Sequence, residues 1–219
     1  MQEAWPERGT GGKSTEAMLK ASSSTFFDCD EGLVKDLAKS YALGHERGLM
    51  DTKSKHTEIA TLAGGCFWGV EELLRATKGV VSTEVGYTGG SLPSPTYEMI
   101  KTGATGHTEG VQIEFNPQEI SFEDLLRKFF KLHDPTTPNR QGNDIGNQYR
   151  SVIFYHGDEQ KITATKVKAL VDQSGAWKRP VVTEIVAAMP FYPAEEYHQK
   201  YLIKNPGGYT CHYIRDYKF

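Results

Sequence analysis

Residues 57–219 alternate between two hydrophobic periods. Runs in which every second residue is apolar predict strands, and runs with apolar residues three or four positions apart predict helices. The predicted strands span residues 57–62, 80–87, 107–116, 149–155 and 181–187, and the predicted helices span residues 67–76, 121–132, 158–173 and 194–204. Strands interleaved with helices favour an α/β (α+β) fold, in which one sheet is covered by a few helices.

Local signals mark the ends of two of these helices. Ser121, with Asp124 three residues later, resembles a capping box. Pro193 occupies the place of a first-turn proline at the start of the last predicted helix, and the Asn-Pro-Gly-Gly sequence at 205–208 ends it. The tail that follows, residues 209–219, has no clear period and is expected to be irregular.

Residues 1–56 differ in character from the rest of the chain. Glycine-rich and serine-rich tracts cannot bury much apolar surface, so the first ~28 residues are expected to be poorly ordered. Apolar residues at helical spacing predict one short amphipathic helix over residues 31–44. We therefore expect an N-terminal extension (1–56) followed by a catalytic domain (57–219).

Composition and charge narrow the class of protein. The 219 residues are 38% apolar and 24% charged, typical of one globular domain with some extra chain. A net charge of -3 argues against partners such as nucleic acid or anionic membranes. No apolar run approaches the ~18 residues of a membrane span, and the acidic N-terminus resembles neither a signal nor a transit peptide. We expect a cytoplasmic protein.

The chain has three cysteines, Cys29, Cys66 and Cys211. They are too few and too scattered for a disulfide framework, and their spacing fits no zinc site. Redox or nucleophilic chemistry, with no metal, is therefore the role that the sequence favours for them.

Cys66 is the strongest candidate for a reactive residue. It lies in Gly-Gly-Cys-Phe-Trp-Gly at 64–69, between a predicted strand and a predicted helix. Unpaired N–H groups and the positive end of the helix dipole favour a thiolate at such a position. Because Phe67 and Trp68 are adjacent, at least one of them is expected to line a pocket. The alternative is a small buried cysteine without a reaction.

Glu109 is the second candidate, since it has the same strand parity as Val111, Ile113 and Phe115. Alternate residues of a strand face opposite sides, so Glu109 is expected on the apolar side. Burial there raises a carboxyl pKa and produces an acid that donates a proton near neutral pH. The alternative is a solvated carboxylate at the strand edge.

Other candidates are less specific. Asp144 and Tyr149 lie in a polar, glycine-rich loop over 141–150 and can supply hydrogen bonds, although such residues are also common in turns. Tyr97 is similarly open to a structural role. His198 is interpreted as structural. Cys211 follows two glycines in the tail, where a mobile thiol can resolve an oxidised Cys66 by forming a disulfide.

Residues 57–213 resemble the peptide methionine sulfoxide reductase A family. The resemblance rests on five blocks in the right order: Gly-Cys-Phe-Trp-Gly at 65–69, Gly106-His107 followed by Glu109, the 141–150 block, Glu-Tyr-His-Gln at 196–199 and Asn-Pro-Gly-Gly-Tyr at 205–209. It implies a two-layer sandwich with a mixed central sheet and reduction of the S epimer of methionine sulfoxide, free or in proteins. It implies no cofactor and thioredoxin as the reductant.

The resemblance also implies roles for individual residues. Cys66 matches the attacking thiolate, and Glu109 matches the donor of a proton to the sulfoxide oxygen. Cys211 is then expected to form the disulfide that thioredoxin reduces. Some family members have two C-terminal cysteines where this chain has one, which leaves Cys29 open as a second partner.

The substrate-binding residues implied by the resemblance surround these groups. Phe67 and Trp68 match the pocket for the substrate methyl group. Tyr97 and Tyr149 match hydrogen-bonding helpers of the acid, and Asp144 matches a carboxylate that organises substrate and water.

Two rival functions remain open at this point. A cysteine hydrolase uses a histidine base beside Cys66, and no histidine has a spacing that marks one. A binding module that recognises oxidised methionine without turnover is the non-enzymatic rival. A cysteine phosphatase is disfavoured because Glu72 occupies the position that requires an arginine.

Overall fold

A computed structural model describes residues 56–219 of the chain. The predicted N-terminal disorder, the helix over residues 31–44 and Cys29 lie outside the described residues.

A six-stranded mixed sheet organises these residues. Its strands are β1 (Glu58–Gly64), β2 (Val80–Thr88), β3 (Thr108–Phe115), β6 (Ser151–Tyr155), β7 (Glu184–Ala187) and β8 (Tyr192–Pro193). Their spatial order is β7-β6-β1-β3-β2-β8, and every neighbouring pair is antiparallel except β6 and β7. The two remaining strands, β4 (Arg140–Gln141) and β5 (Asp144–Ile145), form a separate ladder.

The helices are α1 (Phe67–Arg75), α2 (Tyr97–Lys101), α3 (Phe122–Leu132), α4 (Asp158–Gln173) and α5 (Tyr201–Lys204). The predicted cap of α3 is confirmed, because the Ser121 hydroxyl accepts a hydrogen bond of 3.0 Å from the N–H of Asp124. Among the described residues, no helix is both long enough and apolar enough to cross a bilayer.

Three of the helices cover one face of the sheet. Leu62 and Ile153 belong to the same buried cluster as apolar residues of α1, α3 and α4. Their strand neighbours Ala63 and Val152 face the other way and form a smaller cluster with Phe154. The alternation of strand side chains therefore produces the two-layer arrangement with a mixed sheet that we predicted.

The predicted helix over residues 194–204 is wrong in its first two turns. Only Tyr201–Lys204 is helical, and Pro193 pairs with Gly86 at the edge of the sheet, where a proline is tolerated. Lys200 has a left-handed backbone (φ 51°) that interrupts a helix. The Gln199 side chain binds the N–H and C=O of Val85, at 2.9 and 2.8 Å. Side-chain contacts to the sheet thus replace helical hydrogen bonds in this segment.

Two predicted strands start later than expected. The strand predicted from residue 149 begins at Ser151, because Tyr149 lies in a 3₁₀ turn. The strand predicted from residue 181 begins at Glu184, and the N–H of Val182 donates instead to the carbonyl of Pro135.

Candidate active site

Cys66 lies at the junction of β1 and α1, as predicted. Gly65 turns the chain with φ +103°, a conformation that favours glycine, and Cys66 is the N-cap residue of α1. The Cys66 carbonyl accepts the first helical bond from the N–H of Val70 at 3.5 Å. Cys66 is 8% exposed and lines a pocket, so the residue is largely shielded from solvent.

The predicted lowering of the Cys66 pKa is wrong for this structure. Burial raises the pKa of the thiol above its ordinary value, and the carboxyl group of Glu109 raises it further. The N–H of Trp68, in the first turn of α1, acts in the opposite direction. The helix terminus therefore favours the thiolate, but desolvation is the larger effect and the resting sulfur is protonated.

Glu109 lies on the helix-covered face of β3 and is only 2% exposed. Its Oε2 accepts a hydrogen bond of 3.0 Å from the N–H of Phe67. Burial raises the pKa of Glu109 to about 8, and this outweighs the opposite effect of the Phe67 N–H. The carboxyl group is therefore mostly protonated at neutral pH, as predicted from its parity with the apolar residues of the strand, and the solvated alternative is wrong.

Both groups face one pocket of about 110 Å³. This pocket brings together every predicted site residue except Cys211, and its lining consists of Cys66, Phe67, Trp68, Tyr97, Glu109, Asp144, Tyr149 and Tyr209. Tyr209 is the one lining residue for which sequence analysis predicted no role. Thiol, acid and aromatic side chains thus converge on a space that fits the end of one small side chain.

The aromatic wall of the pocket is held rigidly. Trp68 stacks on Tyr201 with ring centroids 3.7 Å apart and planes at 10°. Its indole N–H donates to Nδ1 of His198 at 3.0 Å. His198 is fully buried and packs its ring 5.1 Å from that of Phe67. The structural role expected for His198 is therefore the support of the two aromatic residues that follow Cys66.

The hydroxyl groups of Tyr97 and Tyr149 remain protonated at neutral pH. Burial and the nearby Glu109 raise the pKa of Tyr97 to about 12 and raise the pKa of Tyr149 above its ordinary value. Both side chains line the pocket, so both are available as hydrogen-bond donors to a bound oxygen.

Glu195 is a supporting residue that the sequence analysis missed. Its carboxylate accepts hydrogen bonds from the N–H of Tyr97 (2.9 Å) and the hydroxyl of Tyr87 (2.8 Å). It thereby fixes the start of α2, which carries Tyr97 into the pocket. Glu195 directly precedes the Glu-Tyr-His-Gln block on which the family resemblance rests. It was missed because apolar spacing predicted a helix here, whereas the side chains of this segment bind the sheet.

Cys211 lies beside the pocket on the C-terminal tail. Its thiol donates to Oδ2 of Asp144 at 3.3 Å, and Oδ1 of the same carboxylate accepts from the Tyr209 hydroxyl at 3.1 Å. Cys66 and Cys211 are both free thiols. The tail is irregular, as predicted, but it is anchored, because Nε2 of His212 lies 2.8 Å from the Gly64 carbonyl.

Within residues 56–219, no group of three or more His, Cys, Asp or Glu side chains could hold a metal ion.

The mixed sheet, the buried thiol, the protonated acid and the nearby second thiol define a thiol-dependent oxidoreductase. A family model described as "Peptide methionine sulfoxide reductase" matches residues 58–218. MsrA of Methanosarcina acetivorans is 47% identical over 188 residues, which are 86% of this chain and 99% of that protein. The chain belongs to the peptide methionine sulfoxide reductase A family.

Solved structures show the same relationship. Mxr1 of Saccharomyces cerevisiae in its reduced form is 40% identical, covers 75% of this chain and 94% of its own, and superimposes with a TM-score of 0.69. Mxr1 in complex with Trx2 is 26% identical in its match, with a TM-score of 0.51 and coverage of 78% of this chain and 97% of its own.

Proposed function

We propose that Cys66, Glu109 and Cys211 reduce the S epimer of methionine sulfoxide, free or in oxidised proteins, in two chemical steps. The enzyme is a peptide-methionine (S)-S-oxide reductase, an oxidoreductase that repairs oxidised methionine. The observation that carries the residue assignment is the shared pocket, in which the Cys66 sulfur and the protonated carboxyl group of Glu109 face the same small space.

In the first step, the Cys66 sulfur attacks the sulfoxide while Glu109 protonates the sulfoxide oxygen. A sulfoxide oxygen leaves poorly until it is protonated, so the acid and the nucleophile lower the barrier together. The oxygen passes to Cys66 as a sulfenic acid and methionine is released. The substrate sulfur gains two electrons and the Cys66 sulfur loses two. The Cys66 sulfur attacks as the thiolate, after its proton has been lost to solvent, and Glu109 ends the step as a carboxylate.

The other pocket residues orient the substrate for this step. Phe67 and Trp68 offer an apolar surface to the methyl group, and the hydroxyl groups of Tyr97 and Tyr149 donate hydrogen bonds to the oxygen. Asp144 organises the polar side of the pocket, next to Cys211.

In the second step, the Cys211 sulfur displaces water from the sulfenic acid and forms a disulfide with Cys66. Thioredoxin then reduces this disulfide. The complex of Mxr1 with Trx2 supports a reductant of this kind for the present enzyme.

A cytoplasmic location is also proposed, since the cycle needs a compartment in which thiols are kept reduced. Fractionation of cells that express the full chain tests this location.

The cysteine hydrolase alternative gains no support from the pocket, because no histidine lines it. His198, which packs on Phe67, uses Nδ1 to accept the indole N–H of Trp68. A binding module without turnover would also have no use for a free thiol in the pocket and a second free thiol beside it.

Two variants test the assignment. Cys66→Ser should abolish reduction of methionine sulfoxide, measured as methionine formed with excess dithiol. Cys211→Ser should still form one equivalent of methionine per enzyme but stop cycling with thioredoxin. Substantial turnover by Cys66→Ser would overturn the proposed nucleophile, and sustained thioredoxin-driven cycling by Cys211→Ser would overturn the proposed resolving cysteine.

A further inference from the structure

The second step requires the Cys211 thiol to lose its proton, and three acceptors surround that thiol. Its Sγ lies 3.3 Å from Oδ2 of Asp144, 3.5 Å from Nδ1 of His212 and 3.8 Å from the carbonyl oxygen of Gln141. A backbone carbonyl is too weak a base to take a proton, which leaves the carboxylate and the imidazole.

The structure sets the tautomer of His212. Its Nε2 lies 2.8 Å from the carbonyl oxygen of Gly64, and because a carbonyl only accepts hydrogen bonds, Nε2 carries the hydrogen. Its Nδ1 therefore has a free lone pair, which faces the Cys211 sulfur. Burial also lowers the pKa of His212 below its ordinary value, so the ring is neutral at pH 7.

The imidazole ring is seated against the turn that carries the other cysteine. A Cβ atom on Gly65 would come within 3.0 Å of Nε2, and one on Gly69 within 2.5 Å of Nδ1. The absence of side chains on both sides of Cys66 thus leaves the space that His212 occupies. The His212 ring thus contacts both the Cys211 thiol and the turn that carries Cys66.

Building on the function proposed above, we propose that Nδ1 of His212 is the catalytic base of disulfide formation. It takes the proton of Cys211 as that sulfur bonds to the sulfenic sulfur of Cys66. The S–O bond breaks, and the departing hydroxide takes the proton from His212 and leaves as water. One S–S bond forms and one S–O bond breaks, and no outside oxidant or reductant is consumed.

Electrostatics favour His212 over Asp144 in this role. Burial and then the Asp144 carboxylate raise the pKa of Cys211, so the thiol does not release its proton to solvent at neutral pH. Proton transfer to neutral His212 instead creates a cation that lies against the forming thiolate and near Asp144. Transfer to Asp144 would leave the thiolate beside a neutral acid and without a cation, so His212 is the more favourable acceptor.

The test compares His212→Gln with the unchanged enzyme. Glutamine keeps an amide N–H in the position of Nε2 for the Gly64 carbonyl but offers no base at the position of Nδ1. Rapid quenching after mixing with one equivalent of methionine sulfoxide follows two quantities, methionine formed and thiols lost. We expect one equivalent of methionine per enzyme, and a disulfide step slowed by ~10²–10⁴-fold at pH 7, as expected for loss of a general base.

The pH dependence separates a base from a structural support. In the unchanged enzyme the disulfide rate should be nearly constant from pH 7 to 9, because neutral His212 is always available. In His212→Gln it should rise about tenfold per pH unit, because the reaction then depends on free thiolate. His212→Asn, which loses the bond to Gly64, should show the same slope.

Three results would overturn the proposal: a disulfide rate in His212→Gln equal to that of the unchanged enzyme, equal slowing of both steps, or an unchanged pH slope. A failure of the proposed function is distinguishable, since it would abolish the methionine burst in the unchanged enzyme as well.

Discussion

Cys66 and Glu109 are both uncharged at rest because the same small pocket desolvates them. The proposed reaction passes an oxygen atom from the substrate sulfur to Cys66 and leaves the total charge of the pair unchanged, because Glu109 takes up the negative charge that Cys66 loses. The reactive form of the pair is the Cys66 thiolate together with protonated Glu109. This form holds one proton fewer than the resting pair. Because the pocket excludes water, the charge on either group then strongly affects the pKa of the other.

Replacing Glu109 tests this arrangement. Glu109→Gln keeps the size and hydrogen-bonding capacity of the side chain but cannot release a proton. The single-turnover rate of methionine formation should fall by ~10²–10⁴-fold, as expected for loss of a general acid. Quench-flow experiments with chromatographic detection of methionine measure this rate. An unchanged rate in a folded variant would contradict the acid role.

The pH profile of methionine formation in a single turnover should show the pKa of Glu109. Below about pH 8 both Glu109 and Cys66 hold their protons, so the singly protonated pair becomes scarcer as the pH falls. The single-turnover rate should therefore rise with pH up to about 8 and then level off. In Glu109→Gln the break near pH 8 should vanish. A break that persists in the variant would assign it to another group.

At the scale of elements, the segment over residues 194–200 supports the pocket without regular structure. Gln199 binds both backbone groups of Val85, and its Nε2 also donates to the Ala194 carbonyl at 2.9 Å. The buried carboxyl group of Glu71 accepts the N–H of Lys200 at 2.8 Å. These contacts fix the segment on which Glu195 and His198 reach the pocket.

Removal of the Gln199 side chain should therefore destabilise the protein. Gln199→Ala leaves the N–H and C=O of Val85 without their partners, at a cost of ~1–3 kcal/mol in the free energy of unfolding. Urea unfolding followed by circular dichroism measures the change. Glu196→Ala is the matched control, since this exposed residue pairs only with Lys204 and should change stability by no more than ~0.5 kcal/mol. Equal effects of the two substitutions would contradict the account.

The same segment shows where sequence patterns are informative. Helix α4 (Asp158–Gln173) matches its prediction residue for residue, because its apolar spacing reflects packing on the sheet. Residues 194–200 have a similar spacing of apolar residues. Their conformation is set instead by contacts of Gln199 with β2 and of Lys200 with α1, which are more than a hundred residues distant in sequence. Strands β4, β5 and β8 are two residues long and leave no detectable period.

At the scale of the whole molecule, the tail closes the site from the far end of the chain. His212 reaches the turn before Cys66, and the N–H of Arg215 donates to the Lys131 carbonyl at the end of α3. Glu109 and Cys66 were predictable because strand parity and a strand-to-helix turn are local signals. The position of Cys211 beside Asp144 was not, since a tail without a period gives no direction.

A substitution that displaces the tail should uncouple the two steps. A Cβ atom on Gly69 would collide with Oγ1 of Thr210 and with the ring of His212. Gly69→Ala should still yield one equivalent of methionine but form the disulfide about 100-fold more slowly, as expected for a misplacement of about 1 Å. Glu72→Ala, in the same helix and paired only with Arg75, is the control. Disulfide formation at the control rate would contradict the proposed seating of the tail.

The most direct test of the central claim is mass spectrometry of Cys211→Ser after one turnover with racemic methionine sulfoxide and dimedone, which traps sulfenic acids. We predict one dimedone adduct on Cys66 for each methionine formed, with only the S epimer consumed. Formation of methionine without an adduct on Cys66, or consumption of the R epimer, would contradict the transfer of the sulfoxide oxygen to this sulfur.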